Sequence, residues 1–395
     1  MARSATIYAD YQATTPLDPR VKDRMEPFWN EAFGNPHSND HSVGWHANQA
    51  MHKATTEVGK LVGADGDEIV FTSGATEANN HALFGLARRA PRSRRRILVS
   101  AVEHKCVLAA ARALANNEDF IVEVIPVDRV GKVDLVALKN MIDSNVLMVS
   151  IMAVNNEIGT LQDIRLIATL LSTYSIPLHC DAAQAPCAMA LSELSDHASL
   201  ISLSSHKMYG PQGIGALFIR RSLQQAIEPL LYGGGQQNSL RSGTVPLPLC
   251  VGFGAAASIL QGDDACHERT RVAAQRDRFV ALLEEGGAEV VLNGPPLGKR
   301  HPGNVNLRFV GYAAADILAT LQPLLAASTG AACTTGLPEP SHVLNAIGLD
   351  GEECDESIRF SFGRFTTDDE IDQAAERVLG ALAALSRADV GTGML

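Results

Sequence analysis

Lys207 ends the run Leu200-Ile201-Ser202-Leu203-Ser204-Ser205-His206-Lys207, just before a break at Gly210-Pro211. An apolar strand that carries a lysine at its C-terminal tip holds an amine partly out of water. Desolvation disfavours the ammonium and lowers its pKa. Such an amine becomes a nucleophile toward carbonyls. The same stretch also suits a lysine that turns out to solvent, and alone it leaves both readings open.

Other apolar runs end in polar groups as well. Thr72-Ser73-Gly74-Ala75-Thr76-Glu77 follows one strand and opens a helix. Small residues there let backbone N–H groups approach an anion at the positive end of that helix. Glu103-His104-Lys105, Asn155-Asn156-Glu157 and Asp181, with Gln184 one turn on, follow further strands. Each has a plainer reading: Asp181 as a helix N-cap, His104 as a packed core histidine. Their agreement is what points to a site, because ligands of open parallel sheets bind outside the carboxyl ends of the strands.

The combined chemistry suits a phosphate-bearing aldehyde. The turn at Gly74 to Thr76 takes the phosphate and Lys207 the aldehyde. Asp181 pairs with a pyridinium nitrogen, and His104 stacks on the ring and handles protons. Those are a protein's duties toward pyridoxal 5'-phosphate (PLP). Two more segments carry chemistry. Cys333 sits in the Gly/Thr/Ala-rich stretch Ala327 to Gly336, which favours an exposed, reactive thiol over a packed one. Arg359 alternates with apolar residues in Ile358 to Arg364, which suits a bidentate grip on a carboxylate or a structural salt bridge.

The elements that must position these groups form a strand–helix alternation. Strands are predicted at 68–72, 96–100, 120–126, 146–152, 176–181 and 200–203, and helices from 42 to 62 and between the later strands. Strands apolar on both faces argue for a mostly parallel sheet covered by helices on both sides. After Gly233-Gly234-Gly235 the pattern changes to helices, short strands near Val290 and 304–309, and a last helix over 368–385, a smaller α+β unit.

Composition sets the class. The chain has 395 residues, 46% hydrophobic and 19% charged, with a net charge of -11. It is long enough for two cores and offers no basic field to nucleic acid. The arginines at 88, 89, 92 and 94–96 read best as a solvated loop. No stretch approaches the roughly 20 apolar residues of a membrane helix. The seven cysteines show no CxxC pair and no zinc spacing, so no metal is expected. These features predict a soluble protein of the reducing cytoplasm, with most thiols buried and inert.

The ordered motifs resemble those of the cysteine desulfurases, in the NifS/IscS-like branch of the class V aminotransferase superfamily. They run from Y-A-D-Y-Q-A-T-T-P near residue 8 through F-T-S-G-A-T-E-A-N at 71, E-H-K at 103, V-N-N-E-I-G at 154 and H-C-D-A-A-Q at 179. They continue with S-S-H-K-M-Y-G-P at 204, L-R-S-G-T at 240, A-C-T-T-G-L-P-E-P-S at 332 and S-I-R-F-S-F-G-R-F-T-T at 357. The resemblance implies PLP fold type I, an α/β fold. It implies a large PLP-binding domain over 16–258 and a small α+β domain from 1–15 and 259–395 that carries the Cys333 loop.

The resemblance also implies roles. Lys207 binds the cofactor covalently, Asp181 its ring nitrogen and Gln184 its ring hydroxyl. His104 stacks on the ring and acts as acid and base. Ala75, Thr76, Ser204 and His206 hold the phosphate, joined by Thr244 from a partner subunit, so a homodimer is implied. Asn156 lies at the cofactor and, with Arg359, holds the carboxylate of L-cysteine. Cys333 takes the sulfur as a persulfide, leaves L-alanine and passes sulfur to an acceptor protein. The destination is iron-sulfur cluster assembly or a specialised modification such as DNA phosphorothioation. Ala153, Cys180 and Ala183 within H-C-D-A-A-Q, and Gln236-Gln237 depart from the family pattern without removing a catalytic group. Rival readings are a selenocysteine lyase, a small amino-acid aminotransferase, and a scaffold without activity.

Overall fold

The computed structural model describes residues 6–329 and 340–392. A short strand β1 (Ile7–Tyr8) precedes a sheet built from β2 (Ile69–Thr72), β3 (Arg96–Ser100), β4 (Ile121–Ile125), β5 (Val146–Ser150), β6 (Leu178–Asp181), β7 (Leu200–Ser204) and β8 (Gly215–Ile219). Its seven strands lie in the order β2-β8-β7-β6-β5-β3-β4. Only β8 runs against its neighbours, β2 and β7; every other pairing is parallel. The C-terminal ends of the other six strands therefore share one edge. β8 has no counterpart in the strands predicted from the alternation, because it adds a reversed strand without an intervening helix.

Strand β7 is buried along its whole length, as a central strand covered on both faces must be. Leu200 belongs to one core and Ile201 and Leu203 to the other, following the two-residue period of a strand. The helices fall close to their predicted places: Ser42–Val62, Ala75–Arg88, Lys105–Asn117 and Ile164–Ser172. Helix Ser42–Val62 packs on Leu247–Leu260 at a close approach. A Cβ at Gly254 would lie 2.8 Å from the Ala54 Cα, so glycine is what lets the two backbones meet.

The C-terminal region has its own core, built on Phe279, Val305, Leu307, Phe360, Phe362 and Val378. Its sheet is antiparallel, β12 (Ser357–Ser361) beside β10 (Asn304–Phe309) beside β9 (Val290–Leu292). The N-terminus returns to this region: β1 pairs in parallel with β11 (Leu325–Ala326), and Asp10 bridges to Ser361. The arginines at 88, 89 and 92 are exposed and those at 94–96 half-buried, and several find partners at the surface. Arg96 pairs with Glu123 and Asp143, Arg95 covers the Phe120 ring and Arg88 the Phe84 ring. Among the described residues no helix is long and apolar enough to cross a membrane, and no group of His, Cys, Asp or Glu is placed to hold a metal ion.

Candidate active site

The shared strand edge opens onto a cavity of about 520 Å³. Five strands send residues into its wall. Gly74, Ala75 and Thr76 follow β2, His104 follows β3, Met152 and Asn156 follow β5, Asp181 ends β6, and Ser204, His206 and Lys207 end or follow β7. Gln184 and Arg359 complete the set. Of the residues singled out in the sequence, Thr244 is exposed and lies outside this wall, and Cys333 lies outside the described residues.

The lysine turn is held from the N-terminal segment. Lys207 Nζ donates to the carbonyls of Gln12 at 2.5 Å and Ala13 at 2.7 Å. Thr15 donates its N–H and its hydroxyl to the His206 carbonyl, and its oxygen accepts from the Tyr209 N–H at 2.8 Å. Tyr209 sits at φ 64°, a conformation that costs a non-glycine residue about 1–2 kcal/mol. Its ring is covered by Arg364 at 4.1 Å, and its Oη accepts from the Arg364 N–H at 2.6 Å. The strained turn is thus fixed by contacts on both sides.

Asp181 is buried and both its carboxylate oxygens are engaged. Asn79 Nδ2 donates to Oδ2 at 2.7 Å, and the Ala183 N–H donates to Oδ1 at 2.9 Å. Gln184 is oriented by donation to the Gln12 carbonyl at 2.9 Å. Behind Asp181 lies Glu103, whose Oε1 accepts from the Met152 N–H at 2.5 Å. Complete burial and the Asp181 charge push the Glu103 carboxyl up to about 8, so it holds a proton at neutral pH. Burial and the neighbouring Lys207 push His206 down to about 4. His206 therefore meets a ligand as a neutral hydrogen-bonding group, and its Nδ1 lies 3.0 Å from the Thr14 hydroxyl.

The turn after β2 has the form of an anion cradle. Gly74 caps the helix Ala75–Arg88 at φ 155° with no side-chain cap bond, and a Cβ there would meet nothing within 4 Å. First-turn N–H groups without such a cap point their positive end at the cavity. On the far wall, Arg359 donates to Asp10 Oδ1 at 2.6 Å and to the Asn156 carbonyl at 2.9 Å. Its Nε is buried without a partner. Arg359 is therefore salt-bridged through its terminal nitrogens, with only its Nε left unpaired.

Comparison with known proteins gives the chain a family. The profile of the class V aminotransferases matches residues 7–374. The chain belongs to the class V aminotransferase family. It is 44% identical to a protein of Rickettsia typhi named cysteine desulfurase IscS, across 96% of this chain and 92% of that protein. A solved structure described as a NifS-like protein superposes with a TM-score of 0.88 at 31% identity, covering 96% of this chain and all of the other. The structure of SspA in complex with cysteine superposes with a TM-score of 0.80 at 33% identity, covering 92% of this chain and 100% of that one.

Class V aminotransferases use PLP, and the residues here fit that group. The uncapped helix start with its bare Gly74 suits a phosphate. The fixed, buried Asp181 carboxylate suits a protonated ring nitrogen. The Lys207 amine, oriented by two carbonyls, suits an aldehyde.

The sequence reading missed Asn79, Cys106, Asp10, Gln12 and Ser328, all of which border or support the cavity. For Asn79 a signal existed. It lies four residues after Ala75 and so on the same helix face. Cys180 and Cys250 are fully buried, and burial pushes their thiols upward, as inert core cysteines should behave.

Proposed function

We infer that this cavity removes sulfur from L-cysteine: the chain is a PLP-dependent cysteine desulfurase that makes L-alanine and passes the sulfur on. The observation that carries the site assignment is the set of strand ends that brings Lys207, Asp181, His104 and the Gly74–Thr76 turn around one cavity. Lys207 binds the cofactor aldehyde. Asp181 holds the ring nitrogen protonated, and Gln184 contacts the ring hydroxyl. Ala75, Thr76, Ser204 and neutral His206 receive the phosphate, with Thr244 supplied by the partner of a homodimer. The exposure of Thr244 away from its own cavity supports that arrangement.

Bound there, the cofactor supplies an electron sink for the substrate carbons. Arg359 and Asn156 orient the substrate carboxylate, the arginine through its fork and the asparagine at the site rim. His104 moves protons at the reacting carbon. The Cys333 thiolate attacks the substrate sulfur. A sulfur–sulfur bond forms, the carbon–sulfur bond breaks with its electron pair left on the carbon, and that carbon takes a proton to become the methyl group of alanine. A persulfide stays on Cys333. On one side of the stretch that contains Cys333, Ser328 lies in the wall paired with the Arg359 backbone; on the other, Ser341 bonds Glu157, next to Asn156 of the wall, at 2.5 Å. Those two anchors support delivery of the thiol to this cavity. The persulfide then passes its sulfur to an acceptor protein, for iron-sulfur cluster assembly or a specialised sulfur modification.

The test is the Cys333→Ser variant. It keeps the visible absorbance of bound PLP and loses alanine and sulfide production from cysteine by about 100-fold or more. Production equal to wild type would remove the persulfide step on Cys333.

A further inference from the structure

Cys106 lines the same cavity, and the reaction described above gives it no task. Its surroundings are specific. The sulfur lies 2.9 Å from His104 Nδ1, and the backbone N–H of Cys106 donates to that same nitrogen at 3.2 Å. From the other side, Asn79 Nδ2 donates to the sulfur at 3.2 Å and to Asp181 Oδ2 at 2.7 Å. Asn79 is fully buried, and its Oδ1 has no partner.

Donor and acceptor rules fix the protons in this cluster. An ionised carboxylate only accepts, so Asn79 must turn its NH2 toward Asp181. The same NH2 reaches the sulfur, which leaves the thiol proton to point elsewhere. A backbone N–H only donates, so the Nδ1 that receives it carries no proton. The neutral ring then holds its proton on Nε2. The thiol donates to Nδ1, and the donors run in one direction, Asn79 to Cys106 to His104. The unpaired Asn79 Oδ1 is the cost of this orientation, since a buried acceptor without a donor is unfavourable.

We propose that the Cys106 thiol is a positioning group: by a second donation to Nδ1 it reinforces the Nε2–H tautomer of His104 that the backbone N–H of residue 106 already selects, and Asn79 ties this contact to Asp181. The effect on turnover rests on the reading of His104 as the proton carrier; the tautomer itself does not. Other charged and titratable groups bear on the ring: Glu103 beside it in the chain, and Asp181, Lys207, His206, Arg359, Asp10 and Glu77 around the same cavity. Cys106 differs from them in touching Nδ1 directly.

Histidine labelled with nitrogen-15 in the PLP-loaded enzyme gives the first readout, with the His104 signal assigned by its loss in His104→Gln. A pyridine-type Nδ1 and a pyrrole-type Nε2 are expected; the reverse assignment would overturn the proposal. Cys106→Ser keeps a side-chain donor and holds both the tautomer and kcat within about 2-fold of wild type. Cys106→Ala loses that donor. Its kcat falls about 10-fold with little change in KM, and the His104 titration moves to higher pH because Nδ1 becomes more basic. Identical pH profiles in wild type, Ser and Ala variants would overturn it. So would equal losses in Ser and Ala with the tautomer unchanged. A protein that stays colourless after PLP addition would instead refute the cofactor reading, and the nitrogen signals would still decide the tautomer.

Discussion

The two walls of the cavity are built on different physical grounds. One is the edge of a single sheet, where backbone ladders set the spacing of Asp181, Lys207 and the Gly74 turn. The other is a meeting of distant segments, where Asp10 and Ser328 are held against Arg359 of β12 by an ion pair and an isolated bridge. The first kind of wall is rigid by construction and suits a resident cofactor that must not move. The second is held by a few polar contacts and suits a substrate that must enter and leave.

If that division holds, substitutions on the two walls fail differently. Lys207→Ala strikes the sheet wall. It is expected to abolish the visible cofactor band and lower kcat/KM by about 10³-fold or more, by spectrum and alanine assay. Arg359→Lys strikes the other wall while keeping the charge. Loss of the planar fork is expected to raise KM for cysteine about 10-fold and leave the cofactor spectrum unchanged. A spectrum altered as strongly as in Lys207→Ala would break the contrast between the walls.

A smaller effect lies behind the sheet wall, at Glu103. Its carboxyl is held protonated up to about 8, against 4.5 for an unperturbed glutamate. Between those values the folded state keeps a proton that the unfolded state releases. The stability due to this group is full below 4.5 and is lost as the pH rises toward 8. Glu103→Gln is neutral throughout and can still accept from the Met152 N–H. Its melting temperature relative to wild type is expected to rise by a few degrees between the ends of that window. A constant difference across the window would show that Glu103 does not hold its proton.

The same contrast explains what could be read from the sequence. Lys207, Asp181, His104 and the Gly74 turn each follow an apolar run, so the break in hydropathy marks both the strand end and the residue that reaches the cavity. The second wall left weaker traces. Arg359 sits in an alternating strand, but nothing local to it names Asp10 as its partner across the chain. Asn79 and Cys106 lie in helices whose small polar and apolar residues read as ordinary faces, and only folding sets them beside Asp181 and His104. Strand β8 escaped because a reversed strand between β2 and β7 breaks the alternation that revealed the others.

Sulfur taken from cysteine is expected to land on Cys333 through the cavity that Lys207 lines. Mass spectrometry of the PLP-loaded enzyme after one turnover with cysteine, without reductant, tests it most directly. One added sulfur atom is expected on the peptide that contains Cys333, with alanine formed in equal amount. Alanine formed with no sulfur on that peptide, or with sulfur on another cysteine in its place, would contradict it.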